Sequence, residues 1–304
     1  MTRKSKKAKL DSSLSSASII NDQLSSAADI QKTVVPNHVL IVVGTYERIV
    51  SGLQFSFNKS DSKDEQAIQL EPKFVMPVHI SCVTSVAICD KFIASGSSDE
   101  VIKLFDLKRN KELGSLHEHS GTIKKLAFYK NTHLLSAATD GKICIYRTTD
   151  WEILKVLRGH SDEVNDIAIH PSGKLAISVS KDRTAIVWNL LTGHKATRTK
   201  LDSEGESIRF NTDGSRYAIL SANTRSSGGR ASNKLTIYTL SPGVEPVQCK
   251  ISSTCHKIMD FEFVCLNGNP DSEYIAFGGS DFKLHFFNTK TESETFSFKA
   301  HDNR

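Results

Sequence analysis

The chain has 304 residues, 38% apolar and 24% charged, which is enough to bury a sizeable core as one large domain or two small ones. No run approaches the roughly 18 apolar residues that a membrane-spanning helix requires, and no apolar stretch of signal-peptide type follows the basic start, so neither a membrane-inserted nor a secreted protein is expected. The formal net charge is +5, and Arg3, Lys4, Lys6, Lys7 and Lys9 alone supply five positive charges with no acid among residues 1–9. The basicity belongs to a tail, and a globally basic nucleic-acid-binding surface is not indicated.

Residues 1–33 are rich in Ser, Lys, Ala and Asp with scattered aliphatics, a composition that reads as a disordered arm. Its Lys-rich cluster suits a nuclear localisation signal or a phosphate-contacting arm, with a solubilising tail as the plain alternative. From residue 34 the texture changes, and 34–304 reads as a single repeat domain. Short runs such as Val39-Leu40-Ile41-Val42-Val43, Val101-Ile102-Lys103-Leu104-Phe105 and Ala185-Ile186-Val187-Trp188 are rich in strand-favouring residues, and clusters of Gly, Ser, Asn and Asp separate them. No long segment keeps a helical period. The fold class expected is all-β. Two polar stretches, Asn58 to Lys73 and Asn223 to Lys234, read as surface excursions.

Self-similarity decides the architecture. The clearest unit runs from Gly159 to Asn189. It opens on Gly-His, continues through a strand, a Pro-Ser-Gly turn and a second strand ending at Ser180, turns at Asp182, and closes a third strand on Trp188-Asn189. The two units before it keep the register: His119, Ser136 and Asp140 with Tyr146-Arg147, and His79, Ser95 and Asp99 with Phe105-Asp106. The turn aspartates lie 41 and 42 residues apart, matching the WD-repeat period of roughly 40–45. Weaker units follow, one ending in Leu235-Thr236-Ile237-Tyr238 and one carrying Asp281 and ending in Phe286-Phe287-Asn288. An initial unit spans Val39 to Phe57. Each such unit is a blade of a WD40 β-propeller, apolar on both faces and stable only when stacked on its neighbours.

His160, Ser178, Asp182 and Trp188 are expected to form a hydrogen-bonded structural tetrad, the Asp accepting from the imidazole and the indole N–H donating toward the Ser hydroxyl. His, Ser and Asp also compose a hydrolase triad. Here the trio recurs at fixed spacing, whereas nucleophilic catalysis needs one constellation. No nucleophile elbow, phosphate loop or H-E-x-x-H metal motif occurs. The expectation is a non-enzymatic protein with no cofactor and no metal. The six cysteines, Cys82, Cys89, Cys144, Cys249, Cys255 and Cys265, form no C-x-x-C pair and read as reduced core thiols.

Six units can be counted. The chain then ends in Phe298-Lys299-Ala300-His301-Asp302-Asn303-Arg304, with His301 at the repeat-opening position. A truncated seven-bladed ring is the expectation and a closed six-bladed ring the alternative. An unclosed ring would expose two apolar blade faces and be marginally stable alone.

The repeats resemble one WD-repeat family, the PAK-kinase-interacting proteins, whose fungal members are the maintenance-of-killer ribosome-assembly factors. The likeness is carried by Val43-Gly44-Thr45-Tyr46-Glu47 with Gly52; His119-Ser120-Gly121-Thr122-Ile123 with Leu126 and Phe128-Tyr129; Asp140-Gly141-Lys142-Ile143-Cys144-Ile145; Trp151-Glu152 with Leu154-Lys155; His170-Pro171-Ser172-Gly173-Lys174-Leu175-Ala176; Trp188-Asn189-Leu190; and the terminal Phe298–Arg304 stretch. It spans about residues 39–304. The absent seventh blade and basic C-terminal tail, the N-terminal arm and the Arg225–Lys234 insertion depart from the pattern. The resemblance implies a nucleolar, and so nuclear, scaffold in large (60S) subunit biogenesis and rRNA processing, with pre-60S assembly factors, ribosomal proteins and pre-rRNA as partners and no membrane. For animal relatives it also implies restraint of a PAK-type kinase.

Propellers bind through loops on one rim or at the central channel. Lys124, Lys125 and Lys130 cluster around one first strand, and Arg225 and Arg230 lie in the insertion. The ordinary reading of each is a solvated charge.

Overall fold

The computed structural model describes residues 38–58, 67–222, 233–240, 245–249, 257–265 and 273–299. The expected disordered arm with its Lys-rich cluster, His301, Arg225 and Arg230 fall outside these residues.

Every regular element described is a strand, and the strands form six antiparallel sheets in sequence order. Blade one holds β1 (His38–Gly44), β2 (Ile49–Asn58) and β3 (Ala67–Pro77). Blade two holds β4 (Val83–Ile88), β5 (Phe92–Ser97), β6 (Ile102–Asp106) and β7 (Lys111–Leu116). Blade three holds β8 (Ile123–Tyr129), β9 (His133–Ala138), β10 (Lys142–Arg147) and β11 (Ile153–Arg158). Blade four holds β12 (Val164–Ile169), β13 (Leu175–Ser180), β14 (Thr184–Asn189) and β15 (His194–Lys200). Blade five holds β16 (Gly205–Phe210), β17 (Arg216–Ala222), β18 (Asn233–Thr239) and β19 (Val247–Gln248). Blade six holds β20 (Ile258–Cys265), β21 (Glu273–Gly279), β22 (Lys283–Asn288) and β23 (Ser293–Lys299).

Two turn types set the repeat. Between the second and third strands, Glu100, Gly141, Arg183 and Phe282 are left-handed (φ 69°, 74°, 59° and 65°), the conformation that closes a short hairpin without splaying its strands. Arg48 has the same conformation (φ 66°) between β1 and β2. That register aligns the three strands of blade one with the second, third and fourth strands elsewhere. Between the third and fourth strands, Asn110, Trp151, Gly193 and Glu292 are again left-handed. Here the residue ending the third strand caps the turn: Asp106 Oδ1 accepts from the N–H groups of Lys108 and Arg109, and Asn189 Oδ1 from those of Leu191 and Thr192. This is the local work of the second residue of the Trp-Asp pair.

Packing is between blades. The first strands run in series, β4 against β8, β8 against β12, β12 against β16 and β16 against β20, with β1 against β4. Each buried cluster straddles two neighbours. Leu135, Ile143, Ile145 and Leu157 of blade three close on Val164, Ile167, Ile186 and Trp188 of blade four, and equivalent clusters join blades two and three, four and five, and five and six. A fully buried side chain of this size stabilises the fold by about 1.5–3 kcal/mol. The fourth strands face outward, and β15 is exposed along its whole length. The outward faces of the first and last blades are apolar: Val39, Ile41 and Val43 alternate as the exposed side of β1, and Phe296 and Phe298 stand exposed beside Phe286.

One sequence expectation is corrected. Asn58 to Lys73 is not a single surface excursion, because Asn58 ends β2 and residues 67–73 belong to β3, which pairs with β2 along its length. Within β3 the polar residues of the segment are Gln69, Glu71 and Lys73. They lie on the blade's outermost strand, where solvent faces the sheet and polar side chains carry no desolvation cost.

Candidate functional site

The repeated polar residues form one chain in each of the best-formed blades. In blade four the Trp188 indole N–H donates to Ser178 Oγ at 2.8 Å, Ser178 lies 2.7 Å from His160 Nε2, and His160 Nδ1 lies 3.1 Å from Asp182 Oδ2. With the serine hydroxyl donating to Nε2 and the Nδ1–H donating to the carboxylate, every group is satisfied by a neutral imidazole. Burial lowers the pKa of His160, although Asp182 pulls the other way.

Asp182 is the hub. It also accepts from the backbone N–H groups of Ser161 and Thr184 at 3.0 Å and from the Thr184 hydroxyl at 2.6 Å. Burial alone would raise its pKa, but the bonds from Thr184, Ser161 and His160 outweigh that and bring it down to about 2. One carboxylate thus fixes its own hairpin turn, the loop that enters the blade, and the imidazole beneath.

Blades two and three repeat the pattern. His79 joins Ser95 at 2.8 Å and Asp99 at 3.0 Å, and His119 joins Ser136 at 2.7 Å and Asp140 at 3.1 Å. Asp99 holds the N–H groups of Ile80 and Val101, and Asp140 those of Ser120 and Lys142. Burial raises the pKa of both carboxyls, and these bonds carry each below its ordinary value. Phe105 and Tyr146 stand where blade four has Trp188.

Blade six departs. Asp281 keeps the turn position, yet Phe277 occupies the place of the serine. His285, from β22 itself, stacks on Phe277 with ring centroids 5.0 Å apart and lies 3.1 Å from Asp281 and 2.7 Å from Glu294. Ser95, Ser136 and Ser178 are all completely buried. A nucleophile needs an approach path for its electrophile, and these hydroxyls already hold an imidazole, so the geometry braces a blade.

A second polar system was not read from the sequence. Along the first strands, Ser85, Lys125, Asp166, Ser207 and Asp260 share one register position. Ser85 Oγ accepts the Leu126 N–H, and Asp166 accepts the Ile208 N–H at 3.1 Å and the Ser207 hydroxyl at 2.6 Å. Arg209 donates to Asp166 at 2.6 Å and pairs with Asp260 and Glu262 at 3.2 and 3.3 Å, and Lys125 lies 3.4 Å from Asp166. The carboxylates around Arg209 keep its pKa raised against the effect of burial, whereas burial raises that of Glu262 despite Arg209. These bonds tie blades three, four, five and six at their inner strands. Lys125 is therefore a member of an ion network, and Lys124 pairs with Glu163 at 3.7 Å. Lys130 lies over the Tyr129 ring at 5.5 Å. The signal that would have found the network is the recurrence of a polar residue two places after the apolar one that opens each first strand.

Blades of this construction, braced by a His–Ser–Asp chain and stacked face to face, define a WD-repeat β-propeller. The family model for the WD domain, G-beta repeat, matches residues 70–106, 110–147 and 151–189. Over 274 residues, 90% of this chain and 67% of the relative, the sequence is 35% identical to p21-activated protein kinase-interacting protein 1-like from Danio rerio. It is 31% identical over 268 residues, 83% of this chain and 63% of the relative, to Protein MAK11 from Saccharomyces cerevisiae. Shk1 kinase-binding protein 15 from Schizosaccharomyces pombe is 30% identical over 185 residues, 59% of this chain and 51% of the relative. The chain belongs to the WD-repeat family of the p21-activated kinase-interacting proteins and MAK11. It spans about two thirds or less of the length of these curated relatives.

Proposed function

We propose that this chain is a non-enzymatic WD-repeat scaffold in biogenesis of the large (60S) ribosomal subunit and processing of its rRNA, working in the nucleolus with pre-60S assembly factors and ribosomal proteins. The observation that carries the scaffold reading is the complete burial of the repeated serines, each hydrogen-bonded to an imidazole that is itself held by a largely buried carboxylate, which spends the reactive-looking groups on the frame and leaves rims and inter-blade grooves for binding. Membership in the family that includes MAK11 supports the ribosomal assignment. Arg3, Lys4, Lys6, Lys7 and Lys9 would serve nuclear import or contact with pre-rRNA phosphates. Depletion should accumulate large-subunit rRNA precursors on northern blots, and normal processing after depletion would count against this reading.

The kinase-interacting and kinase-binding names of the Danio rerio and Schizosaccharomyces pombe relatives favour binding to a PAK-type kinase, and the second reading is an adaptor that restrains such a kinase. It requires direct binding to the kinase regulatory region, measured with purified proteins, together with unaltered rRNA processing on depletion.

A further inference from the structure

The charges outside residues 1–9 cancel, yet the blades do not mix them. In an antiparallel four-stranded blade, the turns joining first to second and third to fourth strands lie at one end, and the remaining turns lie at the other. In blades two to four, the turns on the first of these rims hold five Lys and Arg against three Asp and Glu, and those on the opposite rim hold two against nine. On the basic rim the three acids are already engaged. Asp150 and Glu152 both pair with Arg147 at the end of β10, and Asp90 accepts from Asn131 of the next blade. Lys91, Lys108 and Lys111 stand exposed and form no ion pair among the described residues. Arg109 reaches only Asp106, at 3.9 Å.

Three of these cations, Lys91, Lys108 and Arg109, line a groove of about 590 Å³ between blades two and three, together with Phe92 and Trp151. Both rings are only partly buried, and they meet edge-on with centroids 5.1 Å apart. The two carboxylates of the lining are occupied, Asp106 by the N–H groups of Lys108 and Arg109, and Asp150 by Arg147. Free cations beside accessible aromatic rings suit a single nucleic-acid strand, whose phosphates meet the cations while a base stacks on a ring. An acidic peptide would use the cations and leave the rings idle, and a duplex keeps its bases out of their reach. We propose that the groove between blades two and three binds a single strand of RNA, with Lys91, Lys108 and Arg109 on its phosphates and the Trp151 indole against a base. The acidic rim turns away from the strand, so the separation of charge also orients the propeller on it. This deepens the scaffold reading by naming one surface and its ligand, and it rests on that reading in taking the strand to be RNA and not DNA.

The test uses the full chain and a fluorescein-labelled oligouridylate of about 12 nucleotides, measured by fluorescence anisotropy at low salt. An oligodeoxythymidylate and an oligoglutamate peptide of the same length serve as competitors. The double variant Lys108→Glu/Arg109→Glu should weaken RNA binding at least about tenfold. Arg158→Glu/Lys200→Glu changes the net charge equally at the ends of β11 and β15 on the opposite rim, and it should weaken binding far less. All four positions are exposed, so both variants should melt as the parent does. Stacking has its own readout. The chain has two tryptophans, and Trp188 is 2% exposed, so unlabelled RNA should quench the emission of Trp151 alone, and Trp151→Phe should lose the quenching. The proposal is overturned by absence of RNA binding, by equal loss in the two double variants, by undiminished binding in Lys108→Glu/Arg109→Glu, or by unquenched emission. Tighter binding of the DNA strand or of the acidic peptide overturns it as well. Association of the variants with pre-60S particles is scored separately, so failure of the groove leaves the ribosomal assignment standing.

Discussion

The Trp188 indole N–H donates to Ser178 Oγ at 2.8 Å, at the opposite end of a hydrogen-bond chain that Asp182 closes. Because the carboxylate can only accept, the neutral imidazole sends its Nδ1–H to Asp182, and the serine hydroxyl, which accepts from the indole, turns its own proton to His160 Nε2. Trp188→Phe keeps most of the apolar contact and removes the donor. The expected cost is about 1–2 kcal/mol, the size of one buried hydrogen bond plus a small packing loss. A urea melt of parent and variant measures it, and an unchanged midpoint would show that the indole N–H adds nothing to the chain.

The same hydrogen bonds set a pH dependence. The pKa of Asp182 falls from 3.8 unfolded to about 2 folded, and those of Asp99 and Asp140 are also lowered. Their contribution is full above the unfolded value and is lost as pH drops through the folded one. The pKa of His160 is lowered from 6.5. The folded state therefore prefers it neutral, and stability falls as pH drops below 6.5 toward its folded pKa. Glu262, raised by burial, works in the opposite sense. All four lowered groups bind more protons unfolded than folded, so the denaturation midpoint should decline from pH 7.5 through 5.5 to 4. A midpoint that rises on acidification contradicts the assignment.

The inner-strand network makes a third claim. Asp166 is 3% exposed and Arg209 reaches it at 2.6 Å. Asp166→Ala removes the nearest of the three carboxylates paired with Arg209 and leaves the Ile208 N–H and the Ser207 hydroxyl without their acceptor, at a cost of about 1–3 kcal/mol. Arg209→Met alone should cost less, and the double variant should recover part of the single Asp166→Ala loss. Thermal melting of the three variants measures the coupling, and simple additivity would show that the pair does not act together.

Two glycines separate close approach from mere occurrence. A Cβ at Gly205 would stand 2.7 Å from Val179 Cβ across the junction of blades four and five, whereas one at Gly278 meets nothing within 4 Å. Gly205→Ala should destabilise by about 1–3 kcal/mol through overpacking, and Gly278→Ala should leave the melting temperature nearly unchanged. Equal effects of the two substitutions would remove the close packing at Gly205 from the account of blade stacking.

The frame was legible because period and chemistry coincide. His79, His119 and His160, with their serines and aspartates, recur at spacings that a single blade geometry imposes, so strand order and hub residues could be read together. The inner-strand network was not legible in that way. Lys125, Asp166 and Arg209 are different residue types and look like ordinary surface charges until blade stacking carries them to one wall. The aqueous-looking segment before Lys73 hid a strand for a related reason: an outermost strand faces water and loses the apolar alternation. In blade six Asp281 keeps its place, but its ring partner His285 arises from β22, a contact that the repeat register does not encode.

The most direct measurement is sedimentation of the protein, expressed with all its natural sequence, through a sucrose gradient of nuclear extract, with immunoblotting across the fractions and northern probes for rRNA precursors. Co-migration with pre-60S particles, weakened by added salt, is the expected result. Migration solely as free protein, with large-subunit precursors undisturbed, would contradict it.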